Sequence, residues 1–449
     1  MKALRILLIL LLVFAVLLIG TLLYLNHYVQ TPALKELVLG TARDALGAEV
    51  KISNLNVSLF SGVALRGVAV ENPEGYPGQL LTADAFVLRY RLLPLLRRRV
   101  EVEEVSLQKP TITLARNDKG EWNYEVLTAA AAGSPAAPLE PGRAARSAPT
   151  GGLNISLSRV SMEDGEVVML GEGGKELVRI DKIGLATRVN FEGGKLNGSG
   201  KASIGTINLA NSLFVRLISA PVTISAEQIA LNPLSGTLAG GTVSGDITLK
   251  LADEFKYALR LQVKDGDVDK LLQEAGTRPM LNGKLQATVA LEGTGGLPTM
   301  AGNGRAEITD GRLGEIPTLN LVAVLLQIPE LRDLKFGECV LEFTITNNTM
   351  QTPVIRLSAP RVQITGKGNV SLDDYALNHD MTLAVGKELL ARVPKEVRNV
   401  FTERADGFFT IDFRVWGPYD SPKENLKARI VRGATDQLIE KGLQKLFKQ

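Results

Sequence analysis

Across most of its length this chain alternates apolar and polar residues one for one, and that period of two limits what it can fold into. In the run VSGDITLKL, Val243, Ile247, Leu249 and Leu251 fall on one side and Ser244, Asp246, Thr248 and Lys250 on the other. The next run sets Tyr257, Leu259, Leu261 and Val263 against Arg260, Gln262 and Lys264. Leu285, Ala287, Val289 and Leu291 repeat the theme, and Phe409, Ile411, Phe413 and Val415 close it. Earlier in the chain Leu55, Val57 and Leu59 alternate in the same way, as do Val100 with Val102 and Val105 with Leu107, and Ile112 with Leu114 after Pro110. Such alternation predicts strands with one apolar and one polar face. Short glycine punctuators separate the runs: GSGK at Gly198, GGTVSG at Gly240, NGK at Asn282, GNGR at Gly302 and GKGN at Gly366. The rhythm is an imperfect internal repeat. With 44 glycines and only 5% aromatic residues, the composition suits short strands and tight turns better than helical bundles.

Roughly twenty one-sided strands pose a burial problem, because too little helix is available to cover a sheet that large. The helical pieces are few: Ala33 to Leu46, Val268 to Ala275, Leu319 to Ile328, Lys387 to Phe401 and Thr435 to Phe447. The apolar faces can be hidden in a sandwich, in a closed barrel, or in a long sheet curled so that its apolar sides look at one another. A membrane barrel needs strands of about ten residues and aromatic girdles at both rims; the runs here are irregular and their aromatics sparse. Two-layer sandwiches serve the pattern as well as a curled sheet does. In a single continuous sheet, strands about 4.8 Å apart extend on the order of 100 Å. A curled sheet that does not close leaves an apolar trough larger than a soluble protein normally exposes, and acyl chains match such a trough in shape and chemistry.

The two ends differ from the middle. Residues 6–25 form an uncharged apolar run, about 30 Å long as a helix and so matched to a bilayer's hydrocarbon core. Lys2 and Arg5 precede it, which keeps the terminus cytoplasmic and sends the rest of the chain across the inner membrane. No small-x-small cleavage site follows, so the reading is an uncleaved anchor, not a signal peptide. Residues 128–152, TAAAAGSPAAPLEPGRAARSAPTGG, have no period and read as a linker. From Lys423 to Gln449 there are seven basic and three acidic residues. There Leu438, Ile439, Leu443, Leu446 and Phe447 share a helical face flanked by Lys441, Lys445 and Lys448. Leu438, Lys441, Lys445 and Phe447 are the candidate contacts with an anionic bilayer; the other reading of this helix is a cap on the sheet's end. The resulting divisions are an anchor at 1–30, a β module with a leading helix at 31–127, the linker at 128–152, a repetitive β region at 153–422 and a basic tail at 423–449.

Little in the chain suggests bond-making chemistry. The 51 basic and 48 acidic residues leave a net charge of +3, so no broad positive field exists for a nucleic-acid backbone. One cysteine and two distant histidines exclude an internal disulfide, a cysteine zinc cluster and multi-histidine sites. LGEGGK at Leu170 to Lys175 lacks the spacing of a phosphate loop and reads as a hairpin turn. DGDVD at Asp265 to Asp269 reads as a helix cap rather than a calcium loop. Cys339 reads as a buried thiol, and His379 with Asp380 as a loop pair without a third catalytic group. No metal, no cofactor and no catalytic residue is expected, and the chain is read as a non-enzyme.

Residues 49–127 carry a recognisable set of motifs: Asn72-Pro73-Glu74-Gly75, then Leu92-Leu93-Pro94-Leu95-Leu96 before a basic turn, Pro110-x-Ile112-x-Leu114, and Asp118-x-Gly120-x-Trp122-Asn123. This segment resembles the amino-terminal module of the AsmA family, which an N-terminal span precedes, and residues 300–416 are similar to that family's carboxy-terminal region. The resemblance implies a protein anchored in the inner membrane and projecting into the periplasm of a two-membrane bacterium. It further implies a β-groove that carries phospholipid between membranes in support of outer-membrane biogenesis, and it tilts the choice of architecture from the sandwich to the trough. The expected fold is therefore mainly β: one transmembrane helix, then an elongated, curled, mostly antiparallel sheet with a few short helices. Candidate groove-lining residues are Leu249, Leu259, Leu261, Val289, Phe409, Ile411 and Phe413. The expected partners are phospholipid acyl chains, the inner membrane through residues 6–25, and envelope proteins. The competing reading is a scaffold that holds client strands of outer-membrane proteins along a free sheet edge.

Overall fold

A computed structural model of the chain describes residues 48–58, 62–91, 99–124, 154–192, 195–251, 255–278, 280–294, 299–314 and 316–433, with residues 40, 126 and 435 besides. The proposed anchor at 6–25, the leading helix, the linker at 128–152 and the tail contacts Leu438, Lys441, Lys445 and Phe447 lie outside the described residues. Among the described residues no helix is long and apolar enough to cross a membrane. The fold is mainly β and mostly antiparallel, with few helices. It divides into two compact units, one of residues 1–211 with 216–226 and the other of 212–215 with 227–449.

In the first unit, β1 (Val50–Ser58), β2 (Gly62–Glu71) and β3 (Gln79–Arg91) form an antiparallel meander. Two strands then share the far side of β3: β4 (Arg99–Gln108) and β5 (Thr111–Ala115). Beyond the linker, β6 (Asn154–Leu157) and β7 (Arg159–Leu170) run parallel to them. Strands β8 (Glu176–Glu192) and β9 (Lys195–Leu209) continue antiparallel, and β10 (Leu213–Ser225), most of which belongs to this unit, pairs with β9. The turn between β7 and β8 holds the LGEGGK segment, with Glu172–Gly174 in a single tight turn. A row of direct cross-strand partners, Val70, Leu81, Ile112, Val167, Ile180 and Ile207, runs through this unit.

Two of the sequence motifs meet in this unit. The Asn123 side chain is fully buried and donates to Asn72 Oδ1 and to the Thr113 carbonyl, each at 2.8 Å. Asn72 donates to the Pro77 carbonyl at 2.7 Å, and the Tyr76 hydroxyl reaches the Glu121 carbonyl at 3.1 Å. Asn117 Oδ1 accepts from the backbone of Lys119 and Glu121, the local geometry that Asn favours in turns. The loop at 72–78 and the turn at 116–123 are thus pinned by amide side chains some fifty positions apart in sequence. Both motifs hold loops together.

The second unit is a long meander. Strands β11 (Gln228–Leu238), β12 (Gly241–Leu251), β13 (Phe255–Asp267), β14 (Leu281–Thr294), β15 (Ala301–Gly314), β16 (Asp333–Thr346), β17 (Thr349–Ser358), β18 (Val362–Ser371) and β19 (Ala376–Gly386) pair each with the next. β20 (Thr402–Glu403) and β22 (Lys423–Glu424) are two-residue strands on the far side of β21 (Phe408–Pro418), which pairs with β19. Register shifts interrupt five of these pairings, near Leu231, Val263, Asn282, Glu342 and Thr352. An extra residue on one strand bends it and raises the local twist.

Four short helices interrupt the meander. α1 (Val268–Glu274) is capped by Asp267, whose carboxylate accepts from the backbone of Asp269 at 3.1 Å and Lys270 at 3.3 Å; DGDVD is a cap, as its residues suggested. α2 (Pro317–Leu326) begins at Pro317 and ends at Gln327, which takes a left-handed conformation at φ +55, so it starts two residues before the predicted bounds. The single helix expected from Lys387 to Phe401 is broken into α3 (Lys387–Leu390) and α4 (Lys395–Arg398). Pro394 between them has no N–H to continue the helical ladder. A further helix spans residues 426–433.

Candidate functional site

Register places the apolar residues of the second unit on one face. Leu249 stands opposite Tyr257, Leu259 opposite Ile247 and Leu291, and Leu261 opposite Val289. One row passes from Val263 through Ala287, Ala306, Leu341, Ile355, Gly366 and Met381 to Phe413. All seven predicted lining residues therefore share this face. It does not treat them alike, however.

The helices cover one end of the strands and leave the rest. α2, α3 and the helix at 426–433 lie with the strand ends in a single cluster that includes Val322, Leu326, Leu334, Phe336, Leu357, Leu383, Val385, Leu389, Leu390, Leu426 and Ile430. Leu383, Val385 and Leu389 are completely enclosed. Each such side chain contributes about 1.5–3 kcal/mol of burial, so this is the unit's stabilising core. Ile411, at 6% exposure, belongs to it, and Phe409 and Phe413 pack against it. Ile411 is thus nearly enclosed. Leu249, Leu259, Leu261 and Val289 lie beyond the cluster and are only half-buried. Strand β14 shows the contrast most simply: its polar residues are exposed and its apolar ones, Leu285, Ala287, Val289 and Leu291, stop at intermediate burial. In a sealed two-layer sandwich the inner face would be dry.

Where the helices meet the open face there is an apolar cavity of about 380 Å³. Leu313, Leu319, Cys339, Ile364, Phe413 and Leu426 line it, and Lys423 with Glu424 stands at its polar margin. The volume falls in the range of small-molecule sites, which are mostly apolar with a few polar groups. A wider depression of about 1300 Å³ is walled mainly by polar groups, among them Lys367, Asp380, Asp412, Arg414 and Arg432, and is bordered also by Gly366, Met381, Ile411 and Phe413 of the apolar rows. It offers an acyl chain little, so the smaller cavity is the better match to the apolar face. Burial, reinforced by Glu338, pushes the Cys339 thiol above its ordinary pKa, which keeps it protonated and unreactive.

Two polar features bear on the site. His379 is in strand β19, not in a loop as the sequence suggested, and is 7% exposed. Its Nε2 lies 2.8 Å from the Thr352 hydroxyl, across Gly368 on the strand between them. Its imidazole pKa is lowered by burial, against an opposing pull from Asp380. The outer edge of β21 is also closed. β20 pairs with Thr410 and Phe409, and β22 with Val415 and Trp416. Between them Asn425 Oδ1 accepts from the Arg414 backbone N–H at 2.8 Å, and the Arg429 guanidinium donates to the Asp412 carbonyl at 2.7 Å. The part of the basic tail within the described residues therefore caps the sheet, a device that protects an edge strand from further pairing.

Some of the face went unrecognised in the sequence. In ECVLEFTIT, Cys339, Leu341, Phe343 and Ile345 alternate as clearly as the runs that were singled out, and β16 sets Leu341 and Phe343 on the open face. Among the described residues no group of three His, Cys, Asp or Glu side chains is placed to hold a metal ion.

The second unit is thus a one-sided meander with a sealed helical end and an apolar remainder that is only half-buried. Residues 1–221 match the model of the AsmA family, so this part of the chain is similar to that family. The matched stretch includes the loop-pinning motifs at Asn72 and Asn123. No curated protein and no solved structure matches the chain.

Proposed function

We propose that this protein, anchored in the inner membrane through residues 6–25, carries or conducts phospholipid through the periplasm toward the outer membrane, with acyl chains on the apolar face of the second unit's sheet. The observation that supports this most is the half-exposed apolar row on β14 and its cross-strand partners, an area of unsatisfied apolar surface that needs a filling. Its mechanism is partition. Acyl chains leave the bilayer for the groove while headgroups stay in water, and each buried methylene contributes about 0.8 kcal/mol. No bond is made or broken, no cofactor is needed, and headgroup tolerance is broad. The AsmA family match over residues 1–221 and the β-rich fold are in keeping with a role in lipid transfer and the cell envelope.

The scaffold reading is the weaker one, because the β21 edge is already paired by two short strands and has its Arg414 N–H and Asp412 carbonyl capped by side chains. The test is photocrosslinking of the full chain, reconstituted in liposomes that contain phospholipid with a photoactivatable acyl chain. Adducts on peptides from 255–267, 281–294 and 333–346 are expected. Adducts confined to residues 6–25 would show an anchor in lipid and an empty face, and the proposal would fall.

A further inference from the structure

On the apolar face of the second unit, large side chains recur directly opposite glycines. Tyr257 faces Gly293, Phe343 faces Gly304, and Met381 faces Gly366. In each pair a Cβ added to the glycine would overlap the partner's side chain: the Tyr257 hydroxyl, the Phe343 ring edge and the Met381 thioether. His379 also faces Gly368, but there the nearest atoms to an added Cβ are backbone, the Asn378 carbonyl oxygen at 2.2 Å and the His379 Cα at 2.6 Å, with the His379 Cδ2 at 2.7 Å. Directly opposed residues of an antiparallel pair hold their Cβ atoms about 4.5–5.5 Å apart, and side chains in strands stand roughly perpendicular to the sheet. A side chain can lean across its neighbour only where the neighbour has none.

We propose that these glycines set the depth of the acyl groove, so that Gly366 with Met381 and Gly304 with Phe343 are specificity-determining pairs. The inference rests on the lipid-carrying reading above. With the glycine present, the large side chain lies down along the floor and the space above it stays clear. With any Cβ there, the side chain stands up and narrows the passage. Glycine inside a strand weakens it and commonly marks a place of close approach. Here the close approach is by a neighbouring side chain, and an emptier lumen offsets the cost. The glycine–large pairing thus selects for the cross-section of the acyl chain and leaves the headgroup out of the choice.

The Gly366 pair is the one to test, because its obstacle is the flexible end of a methionine; the nearest backbone atom to an added Cβ is the Asp380 carbonyl oxygen at 3.1 Å. The full chain is presented in liposomes with two phosphatidylglycerol probes, one with linear chains and one with a pyrene at the end of a chain, and the ratio of pyrene to linear uptake is measured. Met381→Ala is expected to raise the ratio, and Gly366→Ala to lower it, each by about threefold, below the 10–200-fold that one methylene makes in a closed pocket. The double variant is expected to return toward the native ratio, since its new methyl has no thioether to displace. Shifts in the same direction, or unchanged ratios with linear uptake retained, overturn the glycine assignment. Met381→Ala alone carries the test if Gly366→Ala fails to fold, an unchanged ratio again overturning it. Failure of the native protein to take up either probe would instead overturn the lipid-carrying reading.

Discussion

Replacing Leu261 by Asp separates groove from core. Leu261 lies opposite Gly245 on one side and Val289 on the other, half-buried and away from the helical cluster. A fully buried leucine is worth about 1.5–3 kcal/mol; half-buried, Leu261 contributes about 1 kcal/mol, which a unit with a separate core tolerates. An acyl chain crossing this position touches on the order of three methylenes' worth of surface, about 0.8 kcal/mol each. Their loss costs about 2.4 kcal/mol, or about fifty-fold in affinity. The assay is the yield of acyl-chain photoadducts per protein from the full chain in liposomes, read beside a thermal unfolding midpoint. Gln262→Asp, one residue along on the exposed polar face, is the control and should leave the yield unchanged. A Leu261→Asp protein that unfolds a few degrees lower and still takes up lipid at the native yield would refute the placement of acyl chains on this face.

Leu383→Ala, in the sealed cluster, should lose about 2–5 kcal/mol of stability in urea unfolding, the range for a fully buried leucine. Asn123→Ala should cost about 1–3 kcal/mol, because it leaves Asn72 Oδ1 and the Thr113 carbonyl without their donor. His379 has a folded pKa below its unfolded value of 6.5, so the unfolded chain binds the proton first as the pH drops. Stability is then full above pH 6.5 and falls as the pH drops below it; His379→Gln should flatten that part of a denaturation profile. A double Asn425→Ala and Arg429→Ala variant uncaps the Arg414 N–H and the Asp412 carbonyl. In light scattering it should form concentration-dependent dimers more readily than the native chain.

Alternation determined much of this protein by itself. Period two in VSGDITLKL or ECVLEFTIT fixes which residues share a face, because successive side chains in a strand must point to opposite sides; Leu249, Leu259, Leu261 and Val289 needed no coordinates to be grouped. The cap at Asp267, the hairpin turn at Glu172–Gly174 and the family resemblance of the amino-terminal part were legible in the same local way. What lies over that face was not. Ile411 and Leu261 sit in equally regular alternation, yet one is enclosed beneath helices and the other half-open. The difference depends on where segments far along the chain come to rest, as when 317–326 and 426–433 pack against strands that begin near 281. Similarly, His379 read as a loop residue until β18 and β21 flanked it, and no pattern shows that Gly366 faces Met381. Faces follow from the covalent geometry of one strand. Cover, depth and opposition belong to pairs of strands and helices, and only the tertiary structure brings those together.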